Sequence, residues 1–212
     1  ALTCAIICNA MFLIGQRLAQ LNEVSGLAEN ELVRVQITGI GNDPNAEAQT
    51  RSDLAALRAI PGVTHATVIN QVPFVNSSWN SSVRLSADQQ QATLNATVYM
   101  AEDQFLESLG LKLVAGRDFN PDEYLEFEAL QRLTGEVSVP GAIITRKMAE
   151  RLFPGEDAIG KTFYSWGDGG IRVVGVVEHL VRPSMLGGPT AREYSMVFPI
   201  RSHYGVGGNY VL

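Results

Sequence analysis

Residues 142–177 read AIITRKMAERLFPGEDAIGKTFYSWGDGGIRVVGVV, and the order of their elements is the best guide to the fold. Ala142–Ile144 is a short apolar strand. Thr145 stands where a helix N-cap belongs, and the helix after it puts Met148 and Leu152, four apart, on one face. Pro154-Gly155 ends that helix. Residues 159–164 and 171–177 then read as two strands, joined by a Gly-Asp-Gly-Gly hairpin at 167–170. The same stretch holds G-x-x-x-x-G-K-[ST] at Gly155–Thr162, the pattern of a phosphate-binding loop. Such a loop needs a strand leading in and a helix leading out, so that backbone N–H groups and the helix N-terminus face the phosphates. Here a helix leads in and Phe163-Tyr164-Ser165-Trp166, aromatic strand material, leads out. Glu156 and Asp157 would also set negative charge beside a polyphosphate. The segment is read as a turn, and nucleotide binding is not expected of it.

Working outward, Thr93–Met100 alternates cleanly, with Leu94, Ala96, Val98 and Met100 on one side. A short helix carries Phe105, Leu106 and Leu109 and stops at Gly110. Leu111–Val114 is a strand, and Asp122–Leu133 reads as an exposed helix. On the C-terminal side, a Pro/Gly loop over 182–193 precedes strands at 195–200 and 210–212. Toward the N-terminus, Val33, Val35 and Ile37 alternate with Arg34 and Gln36, the mark of a half-buried strand. Asp43-Pro44 opens a helix that turns Leu54, Leu57 and Ile60 inward before Pro61-Gly62, and Thr64–Val72 is the next strand. Residues 73–92 are polar, with one short strand near Val83–Leu85. About nine strands and four or five helices in mixed order give an α+β fold rather than a doubly wound parallel sheet.

Composition narrows the function classes. Of 212 residues, 46% are hydrophobic and 18% charged, enough apolar material for a packed core. The net charge is −6 and no Lys/Arg cluster occurs, so the footprint of a nucleic-acid binder is missing. The two cysteines, Cys4 and Cys8, lie one helical turn apart in an apolar run, and nothing after them offers a disulfide scaffold or a cysteine zinc site. That run, ALTCAIICNAMFLI at 1–14, is shorter than the roughly 20 residues of a membrane-spanning helix. It also lacks the basic start and small-residue end of a signal peptide. It is expected to be the outer end of a transmembrane helix, with Leu2, Ile6, Ile7, Met11, Phe12, Leu13 and Ile14 as the membrane segment. A buried helix is the alternative. Ile14, Leu18 and Leu21 then recur at helical spacing, so residues 15–31 are expected to continue as a stalk helix stopping near Gly26. The chain also ends inside an apparent strand, which suggests truncation there too.

Chemistry-bearing motifs are sparse. His65, His179 and His203 are far apart, and none has a second ligand at metal spacing. Glu178-His179 reads as a strand-end surface pair. No G-x-S-x-G or H-E-x-x-H occurs, and the carboxylates of 122–128 read as a solvated helix face. No catalytic, cofactor or metal residue is assigned. Three N-x-[ST] sequons begin at Asn76, Asn80 and Asn95; they carry meaning only in a secreted eukaryotic protein. Trp79, among Asn and Ser, and Met185-Leu186, in the Pro/Gly loop, are candidate partner or substrate contacts.

The ordered set of segments resembles the MacB-like periplasmic core domain of MacB/FtsX-type ABC transporter permeases. Phe105–Leu111 with Leu113–Phe119 is similar to one hallmark, and Ala142–Thr145 with Ala149–Lys161 to a second. Val173–Val177 and Val197–Ile200 are similar to a third and a fourth. The resemblance implies a non-enzymatic domain of a bacterial inner-membrane permease, facing the periplasm. Its expected organisation is an N-terminal helix (membrane end 1–14, stalk 15–31), a porter-like β-α-β subdomain and an inserted mixed α/β subdomain. The porter-like part would take 32–75 and a strand near 209–212, the inserted part 76–208, and the second porter unit would lie beyond Leu212. ATP would be bound by a separate nucleotide-binding domain or subunit. The implied partners are that ABC ATPase, a periplasmic adaptor, a second permease copy and the membrane. Export of a substrate is the leading role; regulation of a cell-wall hydrolase, or lipoprotein release, is the alternative. The loop 73–82, PFVNSSWNSS, is less glycine-rich than in drug and toxin exporters, which puts the substrate class in doubt. The isolated domain is expected to be a monomer.

Overall fold

The computed structural model describes residues 2–21, 24–39, 43–75, 77, 79–132, 139–183 and 190–212. In chain order, the described elements are α1 (Leu2–Leu21), β1 (Arg34–Gln36), α2 (Ala46–Arg58), β2 (Thr67–Ile69), β3 (Asn80–Val83) and β4 (Leu94–Met100). Next come α3 (Phe105–Leu109), β5 (Leu113–Gly116), β6 (Leu125–Glu126), α4 (Phe127–Arg132), β7 (Ala142–Thr145) and α5 (Arg146–Leu152). The last are β8 (Thr162–Tyr164), β9 (Gly170–Val177), β10 (Ser195–Phe198), β11 (Ile200–Arg201) and β12 (Asn209–Val211). The fold is α+β, as the sequence indicates.

The centre of the seven-stranded sheet follows from strands β4, β10, β7 and β9, which are apolar on both sides. It runs β3-β4-β10-β7-β9-β5, with β8 on β9 beside β5. Alternate residues point to opposite faces. Ala96, Val98, Met100, Ile144, Val173, Val176, Met196 and Phe198 enter one cluster, together with Met148 and Leu152 of α5. Their neighbours Tyr99, Ile143, Val174, Val177 and Val197 enter a second. Arg84, just past β3, exchanges two backbone hydrogen bonds of 2.8 Å with Tyr164 of β8. The two ends of the sheet therefore meet, and the sheet curls around the first cluster.

The three-stranded antiparallel sheet β1-β12-β2 lies against the outside of that wall. Register assigns its faces. Tyr210 pairs with Val35 and Val68, and it packs with Leu54 of α2. Val211 and Ile69 belong to the second cluster, beside Phe105, Leu106 and Leu109 of α3. The layers are thus α2, the small sheet, α3 with the second cluster, and the curled sheet. Asn70 pins the two sheets together. Its Nδ2 donates to the Val98 carbonyl (3.0 Å) and its Oδ1 accepts from the Met100 N–H (2.9 Å).

Several sequence expectations need correction. Of the helix expected over 15–31, the described helix ends at Leu21; residues 28–31 form a turn, and Gly26 sits in a bend at φ +87°. Val33, Val35 and Ile37 are exposed rather than half-buried, because β1 is the sheet's edge and α2 packs over β2. Ile60 also points to solvent, beyond the end of α2. The α2 cap position is Asn45; Asp43 instead accepts the Asn45 N–H and the Tyr204 hydroxyl. Asp122–Arg132 is not one exposed helix. Leu125-Glu126 is pulled into parallel pairing with Ile200-Arg201, and Phe127 packs against the first cluster. Thr145 stands at the N-cap of α5, but its hydroxyl donates across the sheet to the Glu193 carbonyl and accepts no N–H of the helix. The strands expected at 83–85 and 111–114 lie at Asn80–Val83 and Leu113–Gly116.

Candidate functional site

The apolar N-terminal run forms α1, and its side chains have no place in the core. Ile6, Ile7, Met11, Phe12, Leu13 and Ile14 are all between 50% and 67% exposed. The buried-helix alternative is thereby excluded. Leu2 starts the helix. Cys4 and Cys8 are free and exposed on it. Among the described residues no helix is long and apolar enough to cross a membrane.

The chain enters the body at a strap, residues 25–28, between the end of β9 and the end of α3. Val24 is exposed and Ser25 is buried. The Ser25 carbonyl accepts the Val181 N–H (3.3 Å), and the Ala28 N–H donates to the Leu109 carbonyl (3.1 Å). The Ser25 hydroxyl donates to Glu29 and accepts the Leu27 N–H. An open groove of about 360 Å³ runs along the strap, lined by Val24, Leu27, Glu29, Lys112, Glu178 and His179. Glu178 and His179 turn to different partners. Glu178 meets Lys112 (2.8 Å) and Arg146 (3.5 Å), and the Lys112 hydrogen bond holds its carboxyl below the usual range. His179 Nδ1 lies 3.7 Å from Glu193 Oε2.

Trp79 presents a partly exposed ring on a fixed backbone. Gln71 Oε1 accepts its N–H (3.1 Å), and its carbonyl accepts from Gln71 Nε2 (3.2 Å) and the Val98 N–H (2.8 Å). Phe74, in the same loop, is 50% exposed at φ 65°, a left-handed conformation that is costly for a bulky residue. Sequence reading found Trp79 but not Phe74. Met185 and Leu186 lie outside the described residues.

The phosphate-loop pattern folds as a turn from α5 into β8. The Gly160 N–H bonds the Val173 carbonyl (2.8 Å), the Lys161 N–H bonds Ala158, and the Ile159 N–H bonds Asp157 Oδ1. Lys161 pairs with Glu156 and lies over the Phe153 ring. The N–H groups of Glu156, Ile159, Gly160 and Lys161 are thus bonded within the turn or to β9.

A charged cluster joins α2, β6, α4 and β11. Carboxylate oxygens of Glu47, Glu126 and Glu128 lie within 4.8 Å of one another, so the carboxylates of 122–128 are not simply a solvated helix face. Glu47 meets the Arg51 guanidinium, Glu126 meets that of Arg201 (3.5 Å), and Glu128 Oε1 lies 3.0 Å from His203 Nε2. Arg201 also reaches Glu102 (3.1 Å), and Arg58 reaches Asp103 (3.0 Å). Burial raises the Glu102 carboxyl to about 7. This is an ion network between elements, legible only once chain positions some 80 residues apart meet.

The model of the MacB-like periplasmic core domain family matches residues 5–209. The macrolide export ATP-binding/permease protein MacB of Pasteurella multocida (strain Pm70) is 29% identical over 176 residues. That match covers 82% of this chain and 24% of that protein. Among solved structures, the extracellular domain of the noncanonic ABC-type transporter YknZ from Gram-positive bacteria superposes with a TM-score of 0.51 at 17% identity. It covers 85% of this chain and 81% of that one. The periplasmic region of MacB from Actinobacillus actinomycetemcomitans gives 0.46 at 17% identity, over 90% and 77%. The chain therefore belongs to the family of MacB-like periplasmic core domains, extracytoplasmic parts of ABC-type transporter permeases.

Proposed function

We propose that this domain couples ATP hydrolysis, carried out by a separate cytoplasmic ABC ATPase domain or subunit, to export of a substrate or to action on a periplasmic partner. It makes and breaks no bonds itself. In this reading α1 lies in the bacterial inner membrane as the outer end of a spanning helix, the body faces the periplasm, and a second permease copy completes the transporter. The exposed ring of Trp79 would contact a periplasmic adaptor or the cargo. The observation that carries the reading is the pairing of an apolar, solvent-exposed α1 with a half-buried strap hydrogen-bonded to the body just past β9. Exposed apolar surface of that extent marks a membrane or protein contact.

The test uses the full-length permease in spheroplasts and a membrane-impermeant maleimide. With Cys8 changed to Ser, Cys4 should stay unlabelled, whereas a cysteine placed at Val24 in a Cys4→Ser, Cys8→Ser background should react from outside. Equal labelling of both positions would remove α1 from the membrane and the reading with it.

A further inference from the structure

We infer that the strap Ser25–Ala28 is the joint through which a displacement of α1 enters the body of the domain, with Gly26 as its positioning residue. This rests on the coupling role proposed above. Four observations meet at the strap. Exposure falls from 63% at Val24 to 4% at Ser25, and Gly26, Leu27 and Ala28 stay half-buried against the body. Backbone hydrogen bonds clip the strap on both sides, to Val181 just past β9 and to Leu109 at the end of α3.

Glycines stand at both clips. A Cβ on Gly26 would lie 2.3 Å from the His179 carbonyl oxygen, and one on Gly110 would lie 2.6 Å from the Ala28 Cβ. Both have positive φ, +87° and +67°, where a side chain is strained in any case. Finally, Leu27 packs on the second cluster, between the two clips.

Contact made by backbone on backbone leaves no side-chain rotamers to absorb a displacement. A movement of the strap is therefore delivered to β9, and so to the curled sheet, and to α3 beneath the small sheet. Farther along, Val33 exchanges N–H and C=O bonds with Leu212, so the same segment also reaches the small sheet.

The experiment uses the full transporter with its ATPase in lipid nanodiscs. Amide hydrogen exchange is compared between the nucleotide-free state and the state trapped with Mg·ATP and vanadate. The wild type should change exchange at residues 174–181 and 105–111. Gly26→Ala should shrink that response about fivefold or more, the lower end of ordinary coupling effects. Ala28→Gly adds no atom and deletes the methyl that Gly110 accommodates; it should shrink the response less. Gly62→Ala is the control, since Gly62 also has positive φ (+96°) but has nothing within 4 Å of an added Cβ. It should respond as the wild type does.

Wild-type responses in both Gly26→Ala and Ala28→Gly would overturn the joint and leave the coupling role standing. So would a loss in Gly62→Ala equal to that in Gly26→Ala. If Gly26→Ala does not assemble, Ala28→Gly decides alone. A wild type that hydrolyses ATP with no response anywhere in 24–212 would overturn the coupling role and the joint together.

Discussion

The two sheets treat their edges in opposite ways. The seven-stranded sheet brings β3 and β8 together at Arg84 and Tyr164, and its central strands β4, β10, β7 and β9 are buried on both faces. The three-stranded sheet leaves β1 at its rim among the described residues, with Val33, Val35 and Ile37 facing solvent on the α2 side. A curled, doubly covered sheet stores stability, whereas an uncovered rim offers surface to something else.

Phe198→Ala tests the first half of that contrast hardest. The ring is fully buried and lies edge-on to Trp166 at 4.8 Å, so its loss should cost about 4 kcal/mol in urea unfolding. A cost near 1 kcal/mol would mean that the curled sheet is loosely filled. Asn70→Ala tests the seam between the sheets. It leaves the Met100 N–H without its partner and should cost about 2 kcal/mol in one shared transition. Two separated transitions would show that the sheets unfold as independent units.

The charged cluster supplies a pH-dependent probe beside the small sheet. Burial lifts the folded-state pKa of Glu102 from 4.5 to about 7, so its contribution to stability is fully present below about pH 4.5 and is lost as pH rises toward 7. Asp103 runs the other way. Burial pushes its carboxyl up, but hydrogen bonds from Arg58 and Glu102 outweigh that and hold it below 3.8. Its contribution is present above that value and is lost as pH falls. Glu102→Gln should flatten the decline between pH 4.5 and 7, with the unfolding midpoint followed across pH. An unchanged slope would place the titration elsewhere. The smallest effect is expected at the rim: Val35→Thr should change stability by less than about 0.5 kcal/mol. A cost above 1 kcal/mol would mean that β1 is covered in solution.

What could be read from the sequence was local. The alternation of Leu94–Met100 names its inward face correctly, and Met148 and Leu152 meet in the core as their spacing requires. The phosphate-loop pattern was rejected on its flanking elements, and those are the elements it has. What could not be read was decided at a distance. Leu125-Glu126 is a strand only because Ile200-Arg201 arrives beside it, and the Thr145 hydroxyl leaves its own helix for Glu193. Alternation at Val33–Ile37 sorts residues onto two faces but does not say which face is covered. At the candidate site, α1 and Trp79 were legible as apolar residues in unusual company. The strap was not, because its meaning depends on His179 and Leu109 flanking Gly26, and Gly26 alone reads as a helix stop.

The meeting of Arg84 with Tyr164 has a mechanical consequence. Staves bound into a hoop cannot be peeled one at a time, and in this sheet every strand but β5 is gripped by a neighbour on either flank. In the proposed coupling role, a tug arriving at the end of β9 would pass to the strands on both of its flanks instead of fraying one strand at the point of attachment.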